Sequence, residues 1–471
     1  IGPTPYGADP METLPNGKYN YLITPITNQT TMTYLIALVL SLALLIIGII
    51  KFKVHPFFVL LFSAIAYGFM TGMDIEAIIS SINNGFGDIM GKIGLIILFG
   101  VTIGKVLEKS GGAFVIATKI LQLIGAKSIH LAMLLTGYIL SIPVFADSAL
   151  LIMNPLNKVL SSKAGVSFAG TTAALALGLT ASHTMVPPTP GPIAAAGILG
   201  ADLGSVMIWG LIISSISLIA CYFFATKFAS RIHVPIVLEP VTTKQEQPAL
   251  WKSLLAIVIP IVLIILKSVM DYPEFTFQPS IFKTIISFLG TPVIALLVGV
   301  LLSLVLPKKL DEKIFSSTGW FGESLREAAP IIFITGAGGI FGKMLQNSGI
   351  ADTITSEFTG MELGLFLPFL LAACLKTTQG SSTVALVTTA SIIAPLMPAL
   401  GLNDPFMATM TVLSIGAGAS VVSHVNDSFF WVLTQLTGMN VKQGYQIQSA
   451  GTFVLGGTAM TVITIIVKIM H

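Results

Sequence analysis

One cation, Lys376, stands in a run that is otherwise uncharged from residue 363 to 403, and six hydroxyl or amide side chains crowd around it. The stretch reads Lys376-Thr-Thr-Gln-Gly-Ser-Ser-Thr383, with Gly380 at its centre. A charged side chain at membrane depth costs roughly 2.5 to 3.5 kcal/mol on insertion scales, so it normally faces a protein-lined cavity and has a counter-charge. Lys376 is therefore expected to hold an anion, with Gln379, Gly380, Ser381, Ser382 and Thr383 meeting its polar groups. The alternative is a lysine snorkelling to the interface from a helix end. A lipid-facing helix, however, has no use for the hydroxyl cluster.

Two further sites carry chemistry. Ala181-Ser-His-Thr-Met-Val-Pro-Pro-Thr-Pro-Gly-Pro192 holds four prolines in an uncharged apolar stretch, so its helix must unwind there and free backbone groups. Ser420-Val-Val-Ser-His-Val-Asn-Asp427 is the corresponding break later in the chain. Half-helix ends at such breaks present partial charges that hold anions and cations near the midplane. Ser182, His183, Thr184 and Asn426 are thus expected at the substrate, and Asp427 and His424 are candidates for proton coupling. A buried histidine is also a common structural hydrogen bonder, and that reading stays open for His183 and His424. Asp147, in Ser141-Ile-Pro-Val-Phe-Ala-Asp-Ser148, is the first candidate for the coupling proton: Lys376 and one substrate carboxylate already cancel, so an ionised Asp147 would leave a loaded site negative. Asp147 as a plain helix cap, or sodium in place of the proton, are the alternatives.

The elements that position these residues follow from composition. With 54% hydrophobic and 10% charged residues, and a mean hydropathy of +0.90, the chain lacks the polar surface of a water-soluble globule. An all-α polytopic membrane protein is expected. The net charge of +3 and the lack of a basic run give no argument for nucleic acid as a partner. Cys221 and Cys374 both lie in apolar stretches and read as small core residues, so neither a disulfide framework nor a metal site is indicated. Nothing calls for a cofactor.

Ten spans are read, at 34–50, 54–72, 92–107, 166–196, 203–226, 253–270, 284–306, 328–345, 405–436 and 448–470. Segments 128–160 and 363–400 are too long for one crossing and short for two, and each has a polar kink near its middle. They read as re-entrant hairpins, with two tight spans each as the alternative. Residues 1–31 are a polar lead, of which 1–10, before Met11, read as an added leader.

An internal repeat organises the spans. Gly104-Lys-Val-Leu-Glu-Lys-Ser-Gly-Gly-Ala113 matches Gly342-Lys-Met-Leu-Gln-Asn-Ser-Gly-Ile-Ala351, and Asp147-Ser-Ala-Leu150 aligns with Thr383-Val-Ala-Leu386. Each half, 32–226 and 253–471, then holds five spans and one hairpin, and an odd number of crossings inverts the second half. Inverted repeats mark secondary transporters. Alternation from Lys51 and Lys53 inward gathers most lysines and arginines, including those of the linker 227–252, on one side, as the positive-inside rule expects.

At Ser182-His183 with Pro187-Pro188 and Pro190-Gly191-Pro192, at Ser423-His-Val-Asn-Asp427, at Gly104-Lys105 with Ser110-Gly-Gly112, and at Gly380-Ser381 with Thr383-Val-Ala385, the chain resembles the gluconate permease (GntP) group of proton-coupled sugar-acid symporters, within the ion transporter superfamily. The resemblance runs from about residue 33 to the end. It implies an elevator-type carrier of the cell membrane, commonly a dimer, importing a gluconate-like hydroxy-carboxylate by proton symport. Lys376 stands where those carriers have arginine, Asp147 where they have glutamate, and Thr189 where they have histidine. Lysine cannot grip a carboxylate bidentately as arginine does, so a shorter hydroxy acid such as glycerate also fits. Sodium-coupled organic-anion symport is the alternative, and an anion channel a more distant one. No HExxH or GxSxG occurs, and Ala337 and Met344 break a P-loop reading of Gly336 to Lys343, so an enzyme or ATP-driven pump is not expected.

Overall fold

The computed structural model describes residues 26–125, 128–236, 247–271, 281–350 and 364–470; among them, every regular element is helical. Most of the polar lead, residues 1–25, and the middle of the linker, residues 237–246, lie outside the described residues.

Among the described residues, six helices are long and apolar enough to cross a bilayer: Met32–Ile49, Ile75–Lys109, Leu203–Arg231, Leu250–Met270, Glu312–Asn347 and Val441–Met470. The pair Ile281–Leu289 and Pro292–Ser303, bent by 73°, reaches that length and apolarity only when its two helices are taken together. Three of the ten runs expected from hydropathy, 54–72, 166–196 and 405–436, do not each form one helix of that length, and the reason is local. The run 166–196 divides into Phe168–Met185 and Pro190–Leu199, and the run 405–436 into Pro405–Ser420 and Ser428–Thr437. Pro187 and Pro188 bring no backbone N–H and cannot continue the first of these helices. Pro56–Met70 has only 15 residues, short of the roughly 20 needed to cross upright.

Burial separates lipid-facing helices from those deep in the protein. Leu250–Met270 buries Ser253, Ala256, Ile257, Pro260 and Ile264, the stripe of a 3.6-residue period, while Leu254, Val258, Val262 and Leu266 stay exposed. Both faces are apolar or small, as a helix between protein and lipid requires. Phe168–Met185 is different: every residue but His183 is buried. Its packing against Ile129–Leu140 is backbone to backbone, because a Cβ on Gly178 would stand 2.1 Å from the Leu134 carbonyl oxygen, and one on Gly137 2.4 Å from that of Leu175. Small residues allow this approach where lipid supplies no hydrophobic drive between helices.

Two helix pairs are separated by short breaks: 141–145 lies between Ile129–Leu140 and Ala146–Ala164, and Gly380 and Ser381 lie between Phe366–Gln379 and Ser382–Ile393. Elsewhere Leu95–Lys109 is tied to Trp320–Asn347 by ion pairs, Lys105 to Glu327 at 2.5 Å and Lys109 to Glu323 at 2.8 Å.

Candidate functional site

Three helices begin at one cavity. Phe145, Ala146 and Asp147 open Ala146–Ala164; Ser381, Ser382 and Thr383 open Ser382–Ile393; Asp427, Ser428 and Phe429 open Ser428–Thr437. All nine line a cavity of about 210 Å³, together with Thr180, His183, Lys376, Ser420, Ser423 and Gln448. Each helix N-terminus carries roughly half a positive charge on its unpaired N–H groups, so the cavity is built to receive negative charge. Its volume falls below the roughly 300–1,000 Å³ of pockets for drug-sized ligands, which restricts it to small solutes.

Lys376 comes from the last turn of Phe366–Gln379 and is only 3% exposed. Its ammonium donates to Asp427 Oδ2 at 2.6 Å and to the Gly380 carbonyl oxygen. Gly380 makes this geometry possible. Its φ of +90° ends the helix, its N–H returns to the Lys376 carbonyl at 2.9 Å, and a Cβ would lie 2.1 Å from the Asn426 carbonyl oxygen. Only glycine fits a positive φ pressed against another backbone.

Asp427 caps its helix: Oδ1 accepts from Phe429 N at 3.1 Å, while Ser423 Oγ donates to Oδ2 at 2.5 Å. Asp147, in the first turn of its own helix, leaves Oδ1 buried with no hydrogen-bond partner. His183 Nδ1 and both amide atoms of Gln448 are likewise buried without a partner, and the His183 ring lies 6.2 Å from that of Phe145. The cavity thus holds one committed ion pair beside one uncommitted carboxylate.

Of the residues expected at the site, Lys376, Ser381, Ser382, Thr383, His183, Asp147 and Asp427 meet at this cavity. The others lie beside it. Ser182 and Thr184 turn their hydroxyls back onto their own helix, donating to the Gly178 and Thr180 carbonyls, and both are buried away from the cavity. Gln379 does not line the cavity, and Gly380 serves as the turn. His424 and Asn426 point to the Thr377 carbonyl instead. Thr180, Ser420, Ser423 and Gln448 also line the cavity, although nothing in their spacing sets them apart from neighbouring hydroxyls and amides. Among the described residues, no group of three or more His, Cys, Asp or Glu side chains could hold a metal ion.

Residues 33–470 match the GntP family permease, which is nearly the whole chain. The chain belongs to the GntP permease family. A gluconate permease of Pseudomonas aeruginosa is 32% identical over 439 residues, covering 90% of this chain and 95% of its own. The D-serine transporter DsdX of Escherichia coli K12 is 29% identical over 435 residues, covering 90% and 96%. Among solved structures, the YdaH transporter of Alcanivorax borkumensis superposes with a TM-score of 0.63 at 10% identity, covering 94% of this chain and 98% of that one. That likeness shows a shared transporter fold. As a GntP permease with several apolar helices, the protein is a multi-pass transporter of the cell membrane and not an enzyme.

Proposed function

We propose that this permease imports a small hydroxy-carboxylate, a gluconate-like sugar acid or glycerate, by proton symport. The observation that carries the reading is the meeting of three helix N-termini and Lys376 at one small cavity rimmed with hydroxyls. The substrate carboxylate goes to Lys376, and Ser381, Ser382, Thr383 and Gln448 meet its hydroxyls. The repeat relating Gly104–Ala113 to Gly342–Ala351 supports an inverted two-fold plan, in which the two hairpins and two breaks form a mobile unit that carries the site in an elevator-type motion. The same plan places both termini outside and the linker 227–252 in the cytoplasm, with two copies of the chain forming the carrier.

Charge balance supports a proton as partner. Lys376 and Asp427 cancel, so an arriving monoanion adds a full negative charge to a site that must move through low dielectric. One proton taken up with it, on Asp147, leaves the charge of the mobile unit the same loaded and unloaded. Uptake of labelled gluconate, glycerate and D-serine into proteoliposomes, with proton and sodium gradients imposed separately, tests the reading. Accumulation of a hydroxy acid on a proton gradient, lost in Lys376→Met, is expected; accumulation on a sodium gradient alone would replace the coupling ion, and uptake unchanged in Lys376→Met would remove Lys376 from the site.

A further inference from the structure

Resting on the assignment of Lys376 to the substrate carboxylate, we infer that Asp427 is a resident counter-ion that the incoming carboxylate displaces from the Lys376 ammonium, and that this exchange sets the affinity and selectivity of the carrier. One ammonium serves both. Lys376 Nζ stands 2.6 Å from Asp427 Oδ2, and both side chains line the cavity that receives the substrate. Asp147, the other carboxylate there, makes no ion pair with the ammonium, and its Oδ1 is buried without a hydrogen-bond partner.

The geometry lets the exchange proceed without orphaning a charge. When Lys376 turns to a new carboxylate, Asp427 keeps Ser423 Oγ at 2.5 Å and Phe429 N at 3.1 Å, at the positive end of Ser428–Thr437. Lys376 keeps the Gly380 carbonyl. An unpaired buried ammonium would be costly and would draw in any small anion. A resident carboxylate removes that cost, and it also removes most of the gain from a bare carboxylate, since one is exchanged for another. Net affinity must come from groups that Asp427 does not supply, the substrate hydroxyls meeting the serines and threonine. Apparent affinity is lowered by the fraction of carriers in which Lys376 is held by Asp427.

Two substitutions then act in opposite directions. Asp427→Asn keeps an acceptor for the Phe429 N–H but releases Lys376, so the dissociation constant for a hydroxy acid should fall by about tenfold or more, and acetate should become a competitor. Ser423→Ala withdraws one of the two donors that Asp427 falls back on, so the dissociation constant should rise several-fold. The measurement is equilibrium binding of labelled gluconate and labelled glycerate to the purified full-length protein, with acetate as competitor, for the wild type, Asp427→Asn, Ser423→Ala and Lys376→Met. Tighter binding in Asp427→Asn and weaker in Ser423→Ala, with none in Lys376→Met, is expected. Weaker or unchanged binding in a folded Asp427→Asn, with binding still lost in Lys376→Met, overturns the inference and leaves the function standing. Should Asp427→Asn fail to fold, Ser423→Ala decides, and unchanged or tighter binding overturns the inference. Wild-type binding of neither compound, or full binding by Lys376→Met, overturns the reading of the site and the inference together.

Discussion

His424 presents Nε2 to the carbonyl oxygen of Thr377 at 2.7 Å, and Asn426 Nδ2 donates to the same oxygen at 2.8 Å. A carbonyl only accepts, so Nε2 must carry its hydrogen. Thr377 lies in the last turn of Phe366–Gln379, where helix carbonyls have no partner of their own. The second break therefore caps the C-terminal end of Phe366–Gln379. His424→Gln, which can still donate, should keep proton-driven uptake, whereas His424→Ala should lower thermal stability by about 1 kcal/mol, the worth of one such bond. Loss of proton-driven accumulation in His424→Gln at unchanged melting temperature would instead make His424 a proton carrier.

The same junction predicts an intolerance. Ala at position 380 needs a backbone conformation with φ near +90° and puts a methyl 2.1 Å from the Asn426 carbonyl oxygen. The conformational part alone costs about 1–3 kcal/mol, and the clash is with backbone that cannot rotate away. Gly380→Ala should lower the yield of folded protein and separate Lys376 from Asp427. A variant with wild-type melting temperature and substrate affinity would show that the turn has another way to close.

What the sequence disclosed, and what it hid, divides along physical lines. Lys376 was legible because a lone charge in a 41-residue uncharged run is costly and must be compensated. The breaks were legible because proline and polar clusters interrupt apolar runs. The pairing of Lys376 with Asp427 was not, since the two are 51 residues apart and a substrate carboxylate would serve the lysine equally well. Nor was the choice among hydroxyls. Phe168–Met185 is buried nearly all round, so no apolar stripe tells which face Thr180, Ser182 and Thr184 occupy, and each can satisfy itself on the preceding turn.

Lys105 offers a test of the fold away from the cavity. It is 5% exposed and held by Glu327 at 2.5 Å and Glu108 at 3.1 Å, joining Leu95–Lys109 to Trp320–Asn347. Removing one partner of a fully buried pair costs about 3–5 kcal/mol; Glu327 is 38% exposed and can turn to solvent, so Lys105→Met should cost less, about 1–3 kcal/mol. Glu327→Gln in that background should recover part of the loss. A double-mutant cycle on thermal unfolding in detergent measures the coupling, and strict additivity would show that the two side chains do not interact.

Asp147 carries the last prediction. It opens the helix Ala146–Ala164 at the cavity, leaves Oδ1 buried without a hydrogen-bond partner, and is the carboxylate that the Lys376–Asp427 pair does not neutralise. If the coupling proton rides there, Asp147→Asn mimics the protonated side chain permanently. The loaded carrier then moves with its usual charge, so exchange of labelled substrate between the two sides should persist. The return of the unloaded carrier no longer requires proton release, so substrate flux loses its link to the proton gradient. Accumulation driven by an inward proton gradient should fall to equilibration, while counterflow stays within about tenfold of the wild type, because a neutral isostere keeps a hydrogen-bonding group at the same position. Both are read in the same proteoliposomes, by preloading with unlabelled substrate in one case and imposing a pH step in the other. Continued accumulation against a gradient in Asp147→Asn would move the coupling proton elsewhere, first to Asp427, whose release from Lys376 on substrate binding would then be the event that opens it to protonation.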